Sequence, residues 1–316
     1  MNISKIITRL AALIAVGSSI TINSHAQSFL TNGLVAYYQF NGNANDSSGN
    51  ENNGTAYGVA FSDDRFGNTN SACYVSGVNS YVSASASNLP TTNRTVAFWF
   101  DAYDVTKGRS LLGYGGGTCG SSFLMNINNP DGGANKFETQ GQCRSNRLLT
   151  PLGNTVGQWH HWAVTFLGNR ITMFLDGIQL GTTNTFSMPT SVVGKNLIIG
   201  MAVAPSGTGP YSDSNLAPFI GVIDDVRIYN LALSTNEVQQ LYAYESQPVV
   251  TLKKAVKPSF SNLYIGTNYQ LQVTSDLTTW TNSGSPFTPT NTVMDYPQYW
   301  DVDNWNDLFF RLQVSP

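Results

Sequence analysis

One short segment of the sequence is rich in the oxygen-bearing side chains that hard cations prefer. Residues 45–54 contain Asp46 and Glu51 among several Asn and Ser residues, with Gly49 and Gly54 to permit tight turns. Calcium takes about six to eight oxygen ligands, which come from carboxylates, amide side chains and backbone carbonyls. The segment is therefore a candidate calcium loop. The alternative is a loop in which Asn and Asp side chains accept backbone N–H groups in Asx-turns.

Two adjacent histidines, His160 and His161, are the second candidate for chemistry. They belong to an alternating, strand-like run at residues 159–166, so one points to the core face of a sheet and the other to the open face. Neither lies at the spacing of a zinc motif, and no Gly-x-Ser-x-Gly nucleophile motif accompanies them. We therefore expect a buried histidine that is hydrogen-bonded between sheets rather than a catalytic group.

Two polar segments supply the kinds of side chain that bind sugars. Sugar sites combine aromatic faces with amide and carboxylate hydrogen bonds. Such residues are abundant in the insert at residues 114–147, and residues 205–215 are expected to lie beside it. The candidate ligand-binding residues of the two segments are Tyr114, Asn126, Asn128, Asp131, Arg144 and Tyr211. The alternative is that both segments are ordinary solvated loops.

The three cysteines differ in their surroundings. Cys119 and Cys143 lie in polar, glycine-rich sequence, and we predict a disulfide between them that stabilises the fold by about 3 kcal/mol. Two free thiols are the alternative. Cys73 lies in an alternating run, which predicts a buried, inward-facing residue, although an odd cysteine can also pair between chains.

The N-terminus has the features of a secretory signal peptide. Lys5 and Arg9 flank the start of an apolar stretch at residues 10–22, and Ser24 and Ala26 place small residues at the cleavage positions. We therefore predict cleavage after Ala26 and a secreted protein, whether extracellular, periplasmic or at the cell surface. An uncleaved anchor is the alternative. No later apolar run reaches the roughly 18 residues of a membrane span.

The charge balance argues against nucleic acid as a partner. The chain carries 16 Lys and Arg residues against 19 Asp and Glu residues, without a basic cluster that would bind phosphates. Its 29 glycines and 12% aromatic content are typical of a turn-rich, extracellular β protein.

Alternating apolar and polar residues recur along the chain and predict many short strands. These are residues 34–40, 81–84, 95–100, 110–114, 159–166, 170–175, 178–180, 197–201, 221–229, 269–273 and 308–312. Asp176-Gly177 predicts a hairpin, and Ser234 with Glu237 predicts a capping box that starts a helix at residues 234–242. Together these patterns predict a sandwich or jelly roll.

Four stretches occur in the order of one known family. They are residues 33–40 with the loop 45–50, the tryptophan strand 96–100, the Trp-His-His segment 158–165 with its Asp-Gly turn, and residues 221–238. In this order they resemble the laminin-G-like, concanavalin A-like jelly-roll domains of secreted bacterial proteins, over roughly residues 30–245. The resemblance implies an antiparallel sandwich of two sheets with shallow binding surfaces.

The same resemblance places the loop at residues 45–54 against the strand that carries Asp224. Strand alternation puts Asp224 on the core-facing side and Asp225 on the other. Because an unpaired buried carboxylate is costly, we predict a structural calcium ion at this corner. Its predicted ligands are Asp46, Asp224 and the loop carbonyls of Asn52 and Asn53. The alternative is that Asp224 accepts backbone amides from the loop.

The fold implied by the resemblance also hosts glucanases. Those enzymes use a Glu-x-Asp-x-x-Glu type strand, and retaining glycosidases hold two carboxyl groups about 5–5.5 Å apart. This chain has only four glutamates, and none lies in such a strand: Glu51, Glu138, Glu237 and Glu245. We therefore predict no catalytic residues and a protein that is not an enzyme.

A second resemblance concerns the C-terminal tail. Residues 266–280 and 309–312 are similar to the fibronectin-III-like modules near the ends of exported bacterial proteins. The predicted organisation is a signal peptide at 1–26, a jelly-roll domain at 27–245, a linker at 246–258 and a small β module at 259–316.

These observations predict an all-β protein, an antiparallel jelly-roll β-sandwich followed by a small β-rich C-terminal module. The expected function is non-catalytic recognition of a carbohydrate or a protein partner through the sandwich loops. A structural or adhesive cell-surface protein is the alternative, and a divergent glycoside hydrolase is a third. Neither nucleic acid nor a membrane span after signal cleavage is expected.

Overall fold

A computed structural model describes residues 28–118, 120–129, 135–141, 146–185, 188–212, 216–247, 255–297, 299–301 and 308–315. The chain divides into two compact units, Met1–Gln247 and Pro248–Pro316. Several predictions lie outside the described residues: the signal peptide, the disulfide between Cys119 and Cys143, and the binding roles of Asp131 and Arg144.

Strands are the main regular elements of the N-terminal unit. In chain order its elements are α1 (Ser28–Thr31), β1 (Leu34–Tyr38), β2 (Thr55–Tyr57), β3 (Ala60–Ser62), β4 (Ala72–Ser76), β5 (Tyr81–Ser85), β6 (Arg94–Ala102), β7 (Gly108–Gly115), β8 (Ser122–Ile127), β9 (Lys136–Gln140), β10 (Arg147–Pro151), β11 (Trp159–Leu167), β12 (Arg170–Leu175), β13 (Ile178–Asn184), β14 (Asn196–Ile199), β15 (Ala202–Val203), β16 (Pro210–Tyr211), β17 (Leu216–Pro218), β18 (Ile220–Tyr229) and α2 (Thr235–Glu245).

Two large sheets form the sandwich. The first sheet has the strand order β13-β12-β11-β6-β18-β4-β3, with β1 also paired to β18. The second sheet has the order β10-β9-β8-β7-β14-β5-β2, with β17 added in parallel to β7. The other pairings within these two sheets are antiparallel. This confirms the predicted all-β, antiparallel jelly-roll sandwich.

Aromatic side chains from both sheets meet in the core between them. Phe98, Phe100 and Trp162 point inward from the first sheet, and Phe137 points inward from the second. The ring centroids of Phe137 and Trp162 are 4.8 Å apart, and those of Phe98 and Trp162 are 5.7 Å apart. Alternation in β6 and β11 places these rings on one face, which explains the strand pattern of the sequence.

Helix α2 covers part of the outer face of the first sheet. Ser234 accepts the N–H of Glu237 and the Glu237 carboxylate accepts the N–H of Ser234, which confirms the predicted capping box. Val238 and Leu241 pack with Phe174 in a small apolar cluster beneath the helix. The helix therefore buries a stripe of the sheet that would otherwise face solvent.

Local turn chemistry also agrees with the sequence. Asp176 and Gly177 both have positive φ angles, 50° and 73°, as a two-residue hairpin between β12 and β13 requires. The insert at residues 114–147 differs from its predicted loop character, because β8 and β9 extend the second sheet there. Cys73 is fully buried, as predicted, and burial raises the pKa of its thiol to about 12.

The C-terminal unit is a set of small antiparallel sheets. Its strands are β19 (Ala255–Val256), β20 (Ser259–Ser261), β21 (Tyr269–Thr274), β22 (Thr281–Phe287), β23 (Val293–Asp295), β24 (Trp300–Asp301) and β25 (Phe309–Val314). The largest sheet has the order β22-β21-β25. This confirms a small β-rich module, whereas its likeness to fibronectin-III stays a prediction. Within the described residues of the whole chain, no helix is long and apolar enough to cross a membrane.

The aromatic core supplies a stability prediction. Because Trp162 is fully buried among three aromatic rings, Trp162→Ala should lower the free energy of unfolding by about 3–5 kcal/mol. Urea denaturation followed by circular dichroism measures this change. Trp159→Ala, at the half-buried start of the same strand, is the control. A loss below about 1 kcal/mol for Trp162→Ala would contradict the assigned core.

Candidate functional site

The loop that was predicted to bind calcium is closed by its own hydrogen bonds. One carboxylate oxygen of Asp46 accepts the N–H groups of Tyr37 and Ser48, at 2.8 and 2.9 Å. The other accepts the Ser48 hydroxyl and the N–H of Asn52, each at 2.9 Å. The Asn53 side-chain oxygen accepts the N–H of Asp46 at 2.9 Å. This is the Asx-turn arrangement that the sequence left open as an alternative.

Asp224 points away from the core, which corrects the predicted strand alternation. The register of β18 against β6 shifts between Asp224 and Arg227, and Asp225 has a positive φ of 49°. This β-bulge reverses the alternation, so Ile223 and Val226 face the core while Asp224 lies opposite Trp99 on the outer face. The prediction that Asp224 and Asp225 occupy opposite faces was therefore wrong.

One arginine binds both of these carboxylates. Arg65 donates from its two terminal nitrogens to Asp224 and to Asp225, each at 2.8 Å, and its side chain is 9% exposed. The observed contacts do not fit a calcium ion shared by Asp46 and Asp224, because N–H and guanidinium donors already occupy those oxygens. The backbone carbonyl of Asn52, another predicted ligand, accepts the Tyr38 hydroxyl at 2.7 Å. Calcium binding by the protein stays a prediction without support from this geometry.

Arg65 belongs to a larger ion network beneath the end of α2. Glu245, at the last turn of the helix, accepts Arg227 Nε at 2.6 Å and Trp99 Nε1 at 2.9 Å. The backbone carbonyl of Glu245 accepts Arg65 Nε and Nη2, at 3.0 and 2.8 Å. Tyr37 donates its hydroxyl to Asp225 at 2.5 Å. The network thus joins β18, β6, β1, the segment after β3 and α2.

Burial dominates the protonation equilibria in this network. It raises the pKa of Glu245 to about 7, with the charge of Asp225 adding to the shift and Arg227 opposing it. Burial and the Asp225 charge also raise the pKa of Asp224, against the effect of Arg65. For His161, burial lowers the pKa to about 3, so the imidazole is neutral. Three carboxylates therefore share two guanidinium groups without a cationic histidine.

The two histidines face opposite sides of β11, as predicted, and have different surroundings. His160 contacts Asp176 through Nδ1 at 2.8 Å, and this hydrogen bond raises its pKa. His161 is buried against Trp99 and Tyr242, beneath α2. The predicted hydrogen-bonded histidine between sheets was wrong, because neither ring nitrogen of His161 has a hydrogen-bond partner among the described residues.

A second group of polar residues lies on the outer face of the second sheet. Phe123, Met125 and Ile127 of β8 face the core, so Asn126 points the other way. In the sheet register, Asn126 lies opposite Glu138 of β9. We call the following residues of this face the polar cluster: Asn126, Asn129, Glu138, Gln140 and Arg147.

The polar cluster converges on one carboxylate. Glu138 Oε2 accepts Asn129 Nδ2 at 2.6 Å, and Asn126 Nδ2 and Gln140 Nε2 lie at 3.4 Å from the same oxygen. Arg147 Nη1 is 3.5 Å from Oε1. The Glu138 side chain is only 1% exposed, whereas that of Arg147 is 20% exposed. Gln140 and Arg147 therefore form the solvent-accessible rim of a buried carboxylate site.

The individual binding predictions have different outcomes. Tyr114 is fully buried in the core, where its hydroxyl donates to Pro90 and accepts from Arg94, so its predicted ligand contact was wrong. Asn126 belongs to the polar cluster. Asn128 ties the end of β8 to the segment between β6 and β7 by donating to the Val105 carbonyl at 2.6 Å.

Tyr211 lies on a hairpin that packs on the same face as the polar cluster. It is 38% exposed and belongs to β16, which pairs with β15. Val203 of β15 packs with Leu124 of β8 in an apolar cluster on this outer face. The predicted proximity of residues 205–215 to the insert is also visible at Gly117, where a Cβ atom would lie 1.8 Å from the Pro205 carbonyl oxygen.

Sequence reasoning missed the residues that organise both polar groups. Glu138 alternates with the core residue Phe137, so a strand assignment for residues 136–140 would have placed it on the outer face. Arg65 lies in a polar loop and carries no comparable local signal.

The ion network gives a direct stability prediction. Arg65→Ala leaves the buried Asp224 and the partly buried Asp225 without their shared cation and should lower the free energy of unfolding by about 3–5 kcal/mol. Urea denaturation measures this, with the exposed Arg170→Ala as the matched control. Adding Asp224→Asn to Arg65→Ala should recover part of the loss. If Arg65→Ala and Arg170→Ala were equally stable, the assigned network would be contradicted.

Glu245 gives a prediction for pH dependence. Its pKa is raised from an ordinary 4.5 to about 7, so the folded state binds this proton more tightly than the unfolded chain does. The resulting stabilisation is present at acidic pH and is lost as pH rises through about 7. Melting temperatures of the wild type should therefore fall relative to those of Glu245→Gln between pH 5 and pH 8. A difference that stays constant over this range would contradict the shift.

Comparisons with solved structures support the same fold. Domain 4 of AbnA, an extracellular GH43 arabinanase from Geobacillus stearothermophilus solved with arabinotriose, is 20% identical with a TM-score of 0.51, and the match covers 66% of this chain and 98% of that domain. The ligand-binding domain of botulinum neurotoxin serotype D, solved with N-acetylneuraminic acid, is 13% identical with a TM-score of 0.53. The match covers 83% of this chain and 66% of that domain.

The binding domain of Paraclostridial Mosquitocidal Protein 1 is 15% identical with a TM-score of 0.51, and the match covers 78% of this chain and 62% of that domain. No curated protein sequence matches this chain. The model of one family, the concanavalin A-like lectin/glucanases superfamily, matches residues 76–239, which is more than half of the chain. The protein therefore belongs to the concanavalin A-like lectin/glucanases superfamily, as its sequence resemblance predicted.

Proposed function

We propose that the protein is a secreted, non-catalytic carbohydrate-recognition protein that binds glycan at the polar cluster. The observation that carries this proposal is the convergence of two asparagine amides, a glutamine amide and a guanidinium on Glu138. Carboxylate, amide and guanidinium groups are the side chains that hydrogen-bond sugar hydroxyls, and here a rigid sheet positions them. The signal peptide predicted for the N-terminus supports secretion.

The distances within the cluster support exchange with a ligand. Asn126 and Gln140 lie at 3.4 Å from Glu138 Oε2, at the long end of hydrogen-bond distances. A sugar hydroxyl that donates to Glu138 and accepts from Gln140 would replace a weak contact with two shorter ones. Among the described residues, Asn126 Oδ1 is buried and has no hydrogen-bond partner. It is a further acceptor for a ligand hydroxyl or a bridging water.

The carboxylate arrangement supports a non-catalytic role. The bulge of β18 brings Asp224 and Asp225 to the same guanidinium, so both carboxylates are held as ion-pair partners rather than as an acid and a base. Glu138 is surrounded by amides and Arg147 in the contacts described above. Domains of the same fold have been solved with sugars, arabinotriose in one case and N-acetylneuraminic acid in another.

A glycan array with the purified chain, followed by calorimetry on any hit, tests this function. Gln140→Ala should weaken binding by about three- to tenfold, the effect of one hydrogen bond, and Glu138→Gln should weaken it by about tenfold or more. Gln239→Ala, on the exposed side of α2, is the matched control. An array without hits contradicts the proposal. Release of reducing sugar from a bound glycan would show that the protein is a glycoside hydrolase instead of a non-catalytic binding protein.

A further inference from the structure

A groove with a volume of about 350 Å³ lies on the outer face of the first sheet, remote from the polar cluster of the second. Its walls are the start of α2 and the strands β11, β12 and β13. We call it the α2 groove. The lining residues that matter here are Thr165, Arg170, Thr172, Phe174, Gln179 and Glu237.

Strand register explains why hydroxyl groups line this groove. Val164 and Phe166 of β11 face the core, so Thr165 between them faces outward. Thr172 of β12 lies opposite Thr165, and Thr182 of β13 lies opposite Thr172. Three threonines therefore form a row across three neighbouring strands, beside the helix.

The floor of the groove is apolar. Phe174 is 1% exposed, and it packs with Leu233 in the apolar cluster beneath α2. Leu167 at the rim is 60% exposed. The groove thus has a closed apolar floor and an accessible aliphatic edge at Leu167, which suits the apolar C–H face of a sugar ring.

The rim of the groove has hydrogen-bond donors and acceptors that no other described residue uses. Arg170 uses its Nε for Thr182 at 2.9 Å, and no hydrogen bond among the described residues uses its terminal nitrogens. Glu237 binds the backbone and hydroxyl of Ser234 through one oxygen, which leaves the other for a ligand. No hydrogen bond within the described part of the chain uses the Gln179 amide, which can donate and accept.

We propose that the α2 groove is a second saccharide site, which takes an uncharged sugar ring with its apolar face towards Leu167 and its hydroxyls on Arg170, Gln179 and Glu237. One cation and one anion at the rim balance each other, so the groove has no preference for a charged sugar. Its volume lies at the low end of the range of about 300–1,000 Å³ for ligand pockets, which fits a short saccharide. This site does not depend on the polar cluster.

Calorimetry on the full chain with arabinotriose, cellotriose and chitotriose tests the proposal, with N-acetylneuraminic acid as the anionic comparison. At least one uncharged sugar should bind. Gln179→Ala and Arg170→Met should each weaken that binding by about three- to tenfold, the effect of one hydrogen bond. Thr172→Phe, which fills the groove, should abolish it. Gln239→Ala, outside the groove, should leave it unchanged, and thermal melts establish that each variant is folded.

The outcomes separate this site from the polar cluster. Binding that is lost in the groove variants and kept in Gln140→Ala supports the α2 groove alone. Binding that is lost only in Gln140→Ala supports the polar cluster and overturns the groove. The absence of binding by all three uncharged sugars, or binding by N-acetylneuraminic acid alone, also overturns it.

Discussion

The guanidinium of Arg65 is the contact on which the outer face of the first sheet depends. It binds Asp224 and Asp225 at the bulge of β18 and the carbonyl of Glu245 at the end of α2. A planar fork with several fixed donors can satisfy three acceptors from separate elements, which a lysine ammonium cannot do with the same geometry. The helix is therefore fastened to the sheet at its C-terminal end by charge and along its length by apolar packing.

The polar groups that attach α2 to the sheet differ from the polar groups that a ligand can reach. Glu245 has two strong donors, Arg227 and Trp99, and is fully enclosed, so it contributes to the closure of the sandwich rather than to recognition. The far end of α2 is held by its capping box, and the groove beside it keeps unused donors and acceptors. Among the residues that the structure describes, no helix covers the equivalent position on the second sheet, and the polar cluster reaches solvent through Gln140 and Arg147.

Patterns that are local in sequence predicted most of the fold. Alternation identified β6, β11 and β18, the Asp-Gly pair identified the turn between β12 and β13, and the capping box identified the start of α2, because each depends on residues within a few positions. The face of Asp224 was predicted wrongly because one bulged residue, Asp225, reverses the alternation. Arg65 was missed because its partners are about 160 and 180 positions away in the chain.

The candidate site was harder to predict than the fold for the same physical reason. Tyr114 and Asn126 both lie in strands of the second sheet, and only the pairing of β7, β8 and β9 decides which side chain enters the core. Two buried glutamates illustrate the difference that this pairing makes. Glu245 accepts from Arg227 and Trp99 at 2.6 and 2.9 Å and is enclosed beneath α2. Glu138 accepts from Asn129 at 2.6 Å, but two further amides lie at 3.4 Å from the same oxygen. These two long contacts at a rigid carboxylate can be replaced by sugar hydroxyls, and this favours Glu138 as the centre of recognition.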